Sequence, residues 1–281
     1  EAPMPELPEV ETIRRELERE VVGKKIKTVE VTNTRSIRRH NTKKQFVAKL
    51  DGAKVSGVDR KGKYLLLKLD TGDLLVVHLG MSGQLLRVAA KEPLAKHTHV
   101  VITFTQGGQL RFVDPRTFGE LFVTSPDQLT EEVPELAHMG IDPVEEPMSW
   151  VTFGHLLHAH KMKLKAFLVD QTILAGIGNI YSDEILFDAG LRYDRQTDSL
   201  STQEIRRLYR AVVEVLHDAI KYGGSTLSDE QYVDLNGKAG EYQEHHQVYD
   251  REKLACRRCR SDIVKAKFQN RSTYFCEQCQ V

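Results

Sequence analysis

The chain has 281 residues, of which 40% are hydrophobic and 28% charged, and its 40 basic and 40 acidic side chains give a formal net charge of zero. This length and apolar content allow one large domain or two to three small ones, each with a packed core. No apolar run reaches the ~20 residues of a membrane helix, and the first residues lack the layout of a secretory signal. We therefore expect a cytoplasmic protein without a membrane partner.

The first predicted element is a helix. Apolar residues recur there at three- and four-residue steps and so share one helical face: Val10, Ile13, Leu17 and Val21. Glu9 falls in the first turn, where the helix dipole favours negative charge. Gly23 is suited to the end of the helix.

Eight short β-like runs follow, separated by turn signals such as "DTGD" and "TQGGQ". They are "KIKTVEVT", "KVSGVD", "KYLLLKL", "DLLVVHLG", "GQLLRVA", "HVVITFT", "GQLRFVD" and "GELFVT". Eight strands at this spacing predict a β-sandwich or a barrel-like sheet. With the leading helix they define a first domain over residues 1–128.

The next part of the chain is predicted to be helical. Ser201 and Glu204 form a capping-box pattern ahead of a long helix, and the pair Gly223–Gly224 ends it. The apolar stripe of this helix comprises Ile205, Leu208, Val212, Leu216 and Ile220. The polar segment 225–250 is predicted to be mostly loop. We assign residues 129–250 to a second domain.

Two helical patterns meet at "LAGIGN", which ends in Asn179. A helix N-terminus built from small residues offers unpaired N–H groups to a phosphate, and Lys161, Lys163 and Lys165 lie just upstream. The same residues fit an ordinary helical hairpin, with Asn179 as N-cap and the lysines on a solvated face. Spacing alone leaves both interpretations open.

All four cysteines lie in the tail, as two Cys-x-x-Cys pairs separated by 16 residues: Cys256, Cys259, Cys276 and Cys279. Such pairs supply the four soft donors of a tetrahedral zinc site. Two disulfides or four free thiols are the alternative, which is weak for a cysteine-poor cytosolic chain. We predict one structural Zn²⁺, because four cysteines leave no open position for a substrate.

Two stretches are locally basic. Residues 251–281 hold eight Lys and Arg against three acids, a net charge of +5, and form a predicted third domain. Its intervening segment fits a β-hairpin with "QNRS" at the tip, so Arg271 could reach a phosphate. The second stretch is "TRSIRRHNTKK". Basic clusters are more often plain surface, but the zinc hairpin indicates a nucleic-acid partner.

Two strand-domain loops, "HLGMSG" and "DPRTFG", each place a bulky apolar residue beside glycine. Met81 and Phe118 would be core residues by default. On loop tips they could instead be wedges between bases, with Arg116 filling the space left by an extruded base. Spacing does not decide between these interpretations.

Taken in order, several motifs resemble the bacterial formamidopyrimidine-DNA glycosylase family, also called MutM or Fpg, from Met4 to Gln280. They are "PELPEVETIRREL", "KGKYLLL", "HLGMSG", "DPRTFG", "AGIGNIYSDE", "GGSTL", "YDRE" and the paired "CxxC" tail. The resemblance implies an α+β multidomain fold: an N-terminal β-sandwich with a leading helix, a helix-two-turn-helix domain and a C-terminal zinc-finger β-hairpin.

The resemblance also implies an activity. The family excises oxidised purines, chiefly 8-oxoguanine and formamidopyrimidines, from double-stranded DNA and cleaves abasic sites by β,δ-elimination, which makes it both a glycosylase and an AP lyase. By this resemblance Pro5 is the nucleophile, Glu6 the adjacent acid and Glu9 a further active-site carboxylate. Lys63 of "KGKY" is the phosphate-gripping lysine. A monomer is implied as well.

The DNA contacts implied by the resemblance fall into two groups. Phosphate contacts correspond to His78, Asn179 and Arg271, and Lys165 matches the family's lysine ahead of the turn. The three residues that fill the gap in the duplex correspond to Met81, Arg116 and Phe118.

Two departures from the family pattern bear on activity. "EAPM" precedes Pro5, whose nitrogen is then a tertiary amide, so we expect Met4 and the residues before it to be absent from the active form. Ser228 stands where many relatives have a basic residue, in a loop that covers the flipped base in this family. The alternatives are an endonuclease VIII-like enzyme for oxidised pyrimidines and a catalytically masked damage-binding protein. A plain zinc-ribbon module leaves the first 250 residues unexplained.

Overall fold

The computed structural model describes residues 5–281 of the chain. Within this range the chain forms two compact units. The sandwich unit comprises residues 5–137 and 222–241, and the helical unit comprises residues 138–221 and 242–281.

The sandwich unit opens with helix α1 (Leu7–Glu20). Glu6 is its N-cap, and a reciprocal capping box joins Glu6 to Glu9. This arrangement satisfies two backbone donors that a helix start leaves unpaired. The predicted apolar stripe is confirmed, because Val10, Ile13, Leu17 and Val21 are all buried.

Eight strands follow at the predicted places: β1 (Ile26–Val31), β2 (Val55–Lys61), β3 (Tyr64–Leu69), β4 (Leu74–His78), β5 (Gln84–Val88), β6 (Thr98–Phe104), β7 (Gln109–Val113) and β8 (Glu120–Thr124). Helix α2 (Lys43–Leu50) and a 3₁₀ turn (Thr34–Ile37) lie between β1 and β2, and α3 (Leu129–Glu132) and α4 (Pro134–Ala137) follow β8.

The strands form two antiparallel four-stranded sheets, in the orders β1-β6-β7-β5 and β2-β3-β4-β8. Alternate side chains of both sheets meet in one apolar core, to which α1 and α2 contribute. The expected β-sandwich is therefore confirmed over the barrel-like alternative.

The helical unit contains α5 (Trp150–Ala159), α6 (Leu164–Val169), α7 (Asn179–Ala189) and α8 (Thr202–Lys221), with 3₁₀ turns at Thr197–Ser199 and Tyr242–His245, and the hairpin of β9 (Val264–Phe268) and β10 (Arg271–Phe275). The capping box ahead of α8 is confirmed, since the Ser201 amide donates to Glu204 and the Glu204 amide to Ser201. The predicted stripe of α8 is buried.

This grouping differs in three places from the predicted boundaries at residues 128 and 250. Residues 129–137, with α3 and α4, belong to the sandwich unit. The segment 222–241 also belongs to that unit, because Tyr232 and Leu235 are buried in its core. The cysteine hairpin belongs to the helical unit, because Phe187 of α7 shares a cluster with Tyr274 of β10. Among residues 5–281, no helix combines the length and the apolar character that crossing a bilayer requires.

Candidate functional site

The start of α1 carries the predicted nucleophile and its neighbouring acids. Pro5 is buried, and Glu6 and Glu9 are 2% and 1% exposed. The Glu6 backbone amide donates to Glu9 Oε1 at 2.9 Å. Met4, whose removal is expected to free Pro5, lies outside the described residues. The two carboxylates are therefore fixed beside Pro5 by the helix cap itself.

Glu9 also reaches a distant part of the chain. Its Oε2 accepts a hydrogen bond of 3.1 Å from the Ser225 amide. Gly224 next to it has φ +78°, and a Cβ there would lie 2.8 Å from Glu9 Oε2. A side chain at this position would displace the carboxylate, so glycine is required for both its conformation and its contact. Glu9 thus joins the helix start to the segment 222–241.

A second acid of α1 anchors the far end of the same segment. Glu16 is buried, and it accepts hydrogen bonds from the Leu235 amide at 3.2 Å and from Asn236 Nδ2 at 3.0 Å. Burial raises the pKa of Glu16. Between the two anchors, Thr226 Oγ1 donates to the Tyr232 carbonyl at 2.9 Å. The loop tip at residues 228–230 is exposed, while both its ends are held.

Lys63 and His78 lie on neighbouring strand ends of one sheet. Lys63 occupies the two-residue turn between β2 and β3 beside Gly62, whose φ is +55°. His78 ends β4 opposite Tyr64, with 4.5 Å between the ring centroids. Desolvation, followed by the charge of Lys63, lowers the pKa of His78 to about 4. At neutral pH this imidazole can donate a hydrogen bond but carries no charge.

The two glycine-bearing loops of the sandwich unit pack against each other. A Cβ on Gly80 would lie 2.7 Å from the Gly119 nitrogen, so the backbones of the loops touch at their glycines. Asp114 is fully buried and accepts from Ser82 Oγ at 2.6 Å and from the Gly119 amide at 2.8 Å. Sequence reasoning passed over Ser82 and Asp114, because a buried acid and a loop serine carry no periodic signal.

The three predicted gap-filling residues belong to these paired loops. Met81 is partly buried, whereas Arg116 is exposed and Phe118 is 45% exposed. The Arg116 guanidinium lies 5.2 Å from the Phe118 ring centroid. A core position for Phe118, the default interpretation, is therefore wrong.

In the helical unit, the turn before α7 differs from the sequence interpretation. Gly178 is the N-cap, and Asn179 is the first helical residue rather than the cap. Gly178 adopts the extended backbone of an N-cap, and the Asn179 Oδ1 atom is buried without a hydrogen-bond partner among residues 5–281. This oxygen is an acceptor and could take a hydrogen bond only from a donor, whereas a contact to a phosphate oxygen would come from Asn179 Nδ2.

The placement of Lys165 contradicts a DNA contact for this residue. Its side chain is 0% exposed, and its ammonium binds Asp183 Oδ1 at 2.6 Å. The lysine therefore neutralises a buried carboxylate and does not reach the surface. Lys165 is the second residue of α6, and a side chain there can point to solvent or into the protein. The sequence pattern does not distinguish these two orientations.

The four cysteines of the tail come together as predicted. All four Sγ atoms lie within 4.8 Å of one another, with 3.8 Å between Cys256 and Cys279 and 3.4 Å between Cys259 and Cys276. A disulfide needs about 2.05 Å, whereas a tetrahedron with Zn–S bonds of about 2.3 Å has edges of about 3.8 Å. The donor set therefore fits one structural zinc ion. Arg271 is exposed at the start of β10.

Comparisons with known proteins agree with this geometry. The formamidopyrimidine-DNA glycosylase N-terminal domain matches residues 4–121, the H2TH domain of the same proteins matches residues 139–231, and the zinc finger found in FPG and IleRS matches residues 253–281. The formamidopyrimidine-DNA glycosylase of Pelotomaculum thermopropionicum is 41% identical over 277 residues, 99% of each chain. That of Geobacillus kaustophilus is 41% identical over 277 residues, 99% of this chain and 100% of the relative.

Solved structures give the same result. Lactococcus lactis Fpg bound to DNA with an abasic site aligns with a TM-score of 0.88 at 36% identity, over 98% of this chain and 99% of that one. MutM of Thermus thermophilus aligns with a TM-score of 0.86 at 40% identity, over 98% of both. A helix-led sandwich, an H2TH domain and a four-cysteine finger together define a class of DNA glycosylases. The chain belongs to the formamidopyrimidine-DNA glycosylase family.

Proposed function

We propose that this protein is a bifunctional DNA glycosylase and AP lyase that excises oxidised purines through Pro5, once the residues ahead of Pro5 are absent. The single observation that carries the proposal is the start of α1, where Glu6 and Glu9 are buried and hydrogen-bonded directly after Pro5. Lactococcus lactis Fpg, which is 36% identical to this chain, has been solved with DNA containing an abasic site and with DNA containing Fapy-dG.

The chemistry follows from a secondary amine at the chain end. Free α-amines titrate at about pH 8, so a useful fraction is neutral at pH 7, and the positive end of the helix dipole disfavours protonation further. The Pro5 nitrogen forms a bond to C1′ of the sugar as the bond between C1′ and the base breaks, and the base leaves with the electron pair. The new ammonium group loses its one proton.

Ring opening then gives an iminium ion. The Pro5 lone pair forms a double bond to C1′ as the C1′–O4′ bond breaks, and Glu6 donates a proton to the departing O4′. The cationic iminium acidifies C2′. Loss of a C2′ proton expels the 3′ phosphate, a second elimination expels the 5′ phosphate, and water hydrolyses the remaining iminium to free Pro5.

DNA is gripped without regard to sequence in this proposal, as scanning for damage requires. Lys63 and Arg271 supply charge to phosphates, while His78 and Asn179 supply uncharged hydrogen bonds. The target base must leave the stack to reach Pro5, and Met81, Arg116 and Phe118 fill the gap it leaves. Zinc, held by the four cysteines, fixes the hairpin that displays Arg271 and takes part in no chemical step.

The substrate class is tested with the protein beginning at Pro5 and duplexes that carry one lesion each. Cleavage of 8-oxoguanine and formamidopyrimidine duplexes at higher kcat/KM than a thymine-glycol duplex is expected. Preference for thymine glycol would assign the chain to pyrimidine lesions, and binding without cleavage would make it a damage-binding protein.

The same proposal includes action as a monomer on DNA in the bacterial cytoplasm. A mass near 32.0 kDa in light scattering of the free protein, and the mass of one such chain plus one duplex when lesion DNA is bound, is the expected result. A concentration-dependent doubling of this mass would contradict the monomer.

A further inference from the structure

We propose that Asp114 and Arg38 are positioning residues for base extrusion. They hold residues 114–119, termed here the wedge loop, in the conformation that projects Phe118. This inference rests on the proposed function, in which Phe118 enters the duplex where a base has left.

The amide side of the wedge loop is held by a buried carboxylate. Asp114 Oδ2 accepts from the Gly119 amide at 2.8 Å, so one side chain closes the loop from its first residue to its last. Asp114 Oδ1 accepts from Ser82 Oγ at 2.6 Å, and the same hydroxyl accepts from the Arg116 amide at 3.2 Å. Asp114 is 0% exposed, which makes these bonds costly to break.

The carbonyl side of the wedge loop is held by arginines of the basic stretch "TRSIRRHNTKK". Arg38 donates to the Gly119 carbonyl at 2.8 Å and to the Phe118 carbonyl at 3.1 Å. Arg35 donates to the Thr117 carbonyl at 3.3 Å. Three consecutive carbonyls are thus bound by two guanidinium groups. This gives part of the "TRSIRR" stretch a role within the protein.

Close backbone packing fixes the wedge loop against the Met81 loop. A Cβ on Gly119 would lie 2.8 Å from the carbonyl oxygens of His78 and Leu79, so the loop has no space to shift toward β4. Thr117 adopts φ +57°, a conformation that a non-glycine residue holds at a cost unless its surroundings impose it. The contacts on both sides of the loop supply that constraint.

The result is an exposed aromatic ring on an immobilised backbone. Phe118 is 45% exposed, although the backbone around it is hydrogen-bonded at the Thr117 carbonyl, its own carbonyl and the Gly119 amide. A loop ordered before DNA arrives does not lose conformational freedom when the ring enters the duplex. Asp114 and Arg38 therefore act on the rate of extrusion through Phe118, without touching the reacting sugar.

The test compares Asp114→Asn and Arg38→Gln with Arg39→Gln, all in the protein beginning at Pro5. Arg39 is a matched control because it is adjacent, loses the same charge and pairs with Glu120, as Arg38 does, but does not bond the wedge loop. Two substrates are used: an 8-oxoguanine duplex, which needs extrusion, and a single-stranded oligonucleotide with an abasic site, which leaves no gap to fill.

We expect kcat/KM on the 8-oxoguanine duplex to fall on the order of 10- to 100-fold for Asp114→Asn and Arg38→Gln. Cleavage of the single-stranded abasic substrate should stay within about threefold of the unsubstituted protein, and Arg39→Gln should leave both unchanged. A parallel fall on both substrates, or no fall on the duplex, would overturn the inference. An unsubstituted protein inactive on both would contradict the proposed function instead.

A second measurement does not depend on activity. Hydrogen exchange of the free protein should show the Gly119 amide exchanging on the order of tenfold faster in Asp114→Asn and Arg38→Gln, with Arg39→Gln unchanged. Unaltered exchange at residues 116–119 in both variants would refute the positioning role, whatever their activity.

Discussion

Lys165 and Asp183 form a fully buried ion pair, with 2.6 Å between the lysine Nζ and Asp183 Oδ1. The same carboxylate accepts from Thr273 Oγ1 at 2.7 Å and from the Tyr274 amide at 2.9 Å. One carboxylate therefore connects α6, α7 and strand β10 of the cysteine hairpin. The position of the hairpin that carries Arg271 depends on this connection.

Replacing Asp183 with Asn should destabilise the helical unit by about 3–5 kcal/mol, because it leaves the Lys165 charge buried without its carboxylate. The measurement is urea unfolding of the zinc-loaded protein at pH 7. The double variant Lys165→Met, Asp183→Asn should recover part of the loss. Asp188→Asn, on the exposed side of the same helix, is the control and should cost less than about 0.5 kcal/mol. An Asp183→Asn protein as stable as the unsubstituted one would refute the role given to this pair.

Replacing Glu16 with Ala should release the Leu235–Asn236 end of the segment 222–241 from α1, while the Ser225 end stays bound to Glu9. Hydrogen exchange around residues 235–236 should rise, and excision of 8-oxoguanine should fall about tenfold, while strand cleavage at a preformed abasic site changes little. In the proposed function this loop, which starts one hydrogen bond from Glu9, covers the extruded base, so loosening it should affect excision and not cleavage at a site that already lacks its base.

Glu18→Ala is the matched control for this change, since Glu18 lies on the same helix but is exposed and pairs with Arg14. Equal losses of excision and abasic-site cleavage in Glu16→Ala would argue for a general effect on α1 and against a role in holding the loop.

The lowered pKa of His78 predicts how the free energy of unfolding changes with pH. Its pKa is lowered from the usual 6.5 to about 4, chiefly by desolvation. Between pH 6.5 and pH 4 the unfolded chain binds a proton at His78 that the folded chain does not. The contribution of the neutral imidazole to the free energy of unfolding is therefore complete above pH 6.5 and is lost as the pH falls toward 4. One such group changes the unfolding free energy by up to about 1.4 kcal/mol per pH unit.

Urea unfolding at several pH values between 7 and 5 checks this prediction. His78→Gln keeps an uncharged hydrogen-bond donor, and its stability should fall less steeply with pH than that of the unsubstituted protein. A residual slope is expected, because burial also lowers the pKa of His246 to about 4. Identical slopes in the two proteins would show that His78 titrates normally.

Removal of zinc should disorder the cysteine hairpin and weaken DNA binding. Cys256→Ser removes a buried ligand, and we expect loss of the metal together with a lower affinity for an abasic duplex. The Arg271→Gln protein should keep its zinc but bind DNA less tightly. The magnitude of the slope of log K for DNA binding against log salt concentration should fall by about one, because one phosphate contact is lost. Anisotropy titrations at several salt concentrations, with zinc content measured alongside, separate the two effects. Full affinity after zinc removal would exclude the hairpin from DNA binding.

Local patterns predicted the elements of this fold, and long-range pairing limited what they could say. The stripe of α1, the eight strands and the Ser201–Glu204 capping box are properties of neighbouring residues, and all are present. The division of the strands into two sheets is not a property of neighbouring residues, because β1 pairs with β6 and β4 with β8 across long stretches of chain.

The same distinction applies to the candidate site. The four cysteines could be predicted because zinc requires a fixed number of soft donors at short spacing. Glu9 meets Ser225 and Glu16 meets Leu235 across more than two hundred residues, and no local pattern marks such contacts. The family resemblance implies a DNA contact for Lys165, and the sequence does not correct it, because a lysine looks the same in sequence whether its partner is a phosphate or the buried Asp183.

The central claim is that the Pro5 nitrogen forms a covalent intermediate with the damaged sugar, and borohydride trapping tests it most directly. The protein beginning at Pro5 and the protein beginning at Glu1 are each incubated with an 8-oxoguanine duplex and reductant, and the adducted peptide is identified by mass. The account predicts an adduct on Pro5 in the first protein and none in the second. Adducts of equal yield in both proteins, or an adduct located on Lys63, would contradict it.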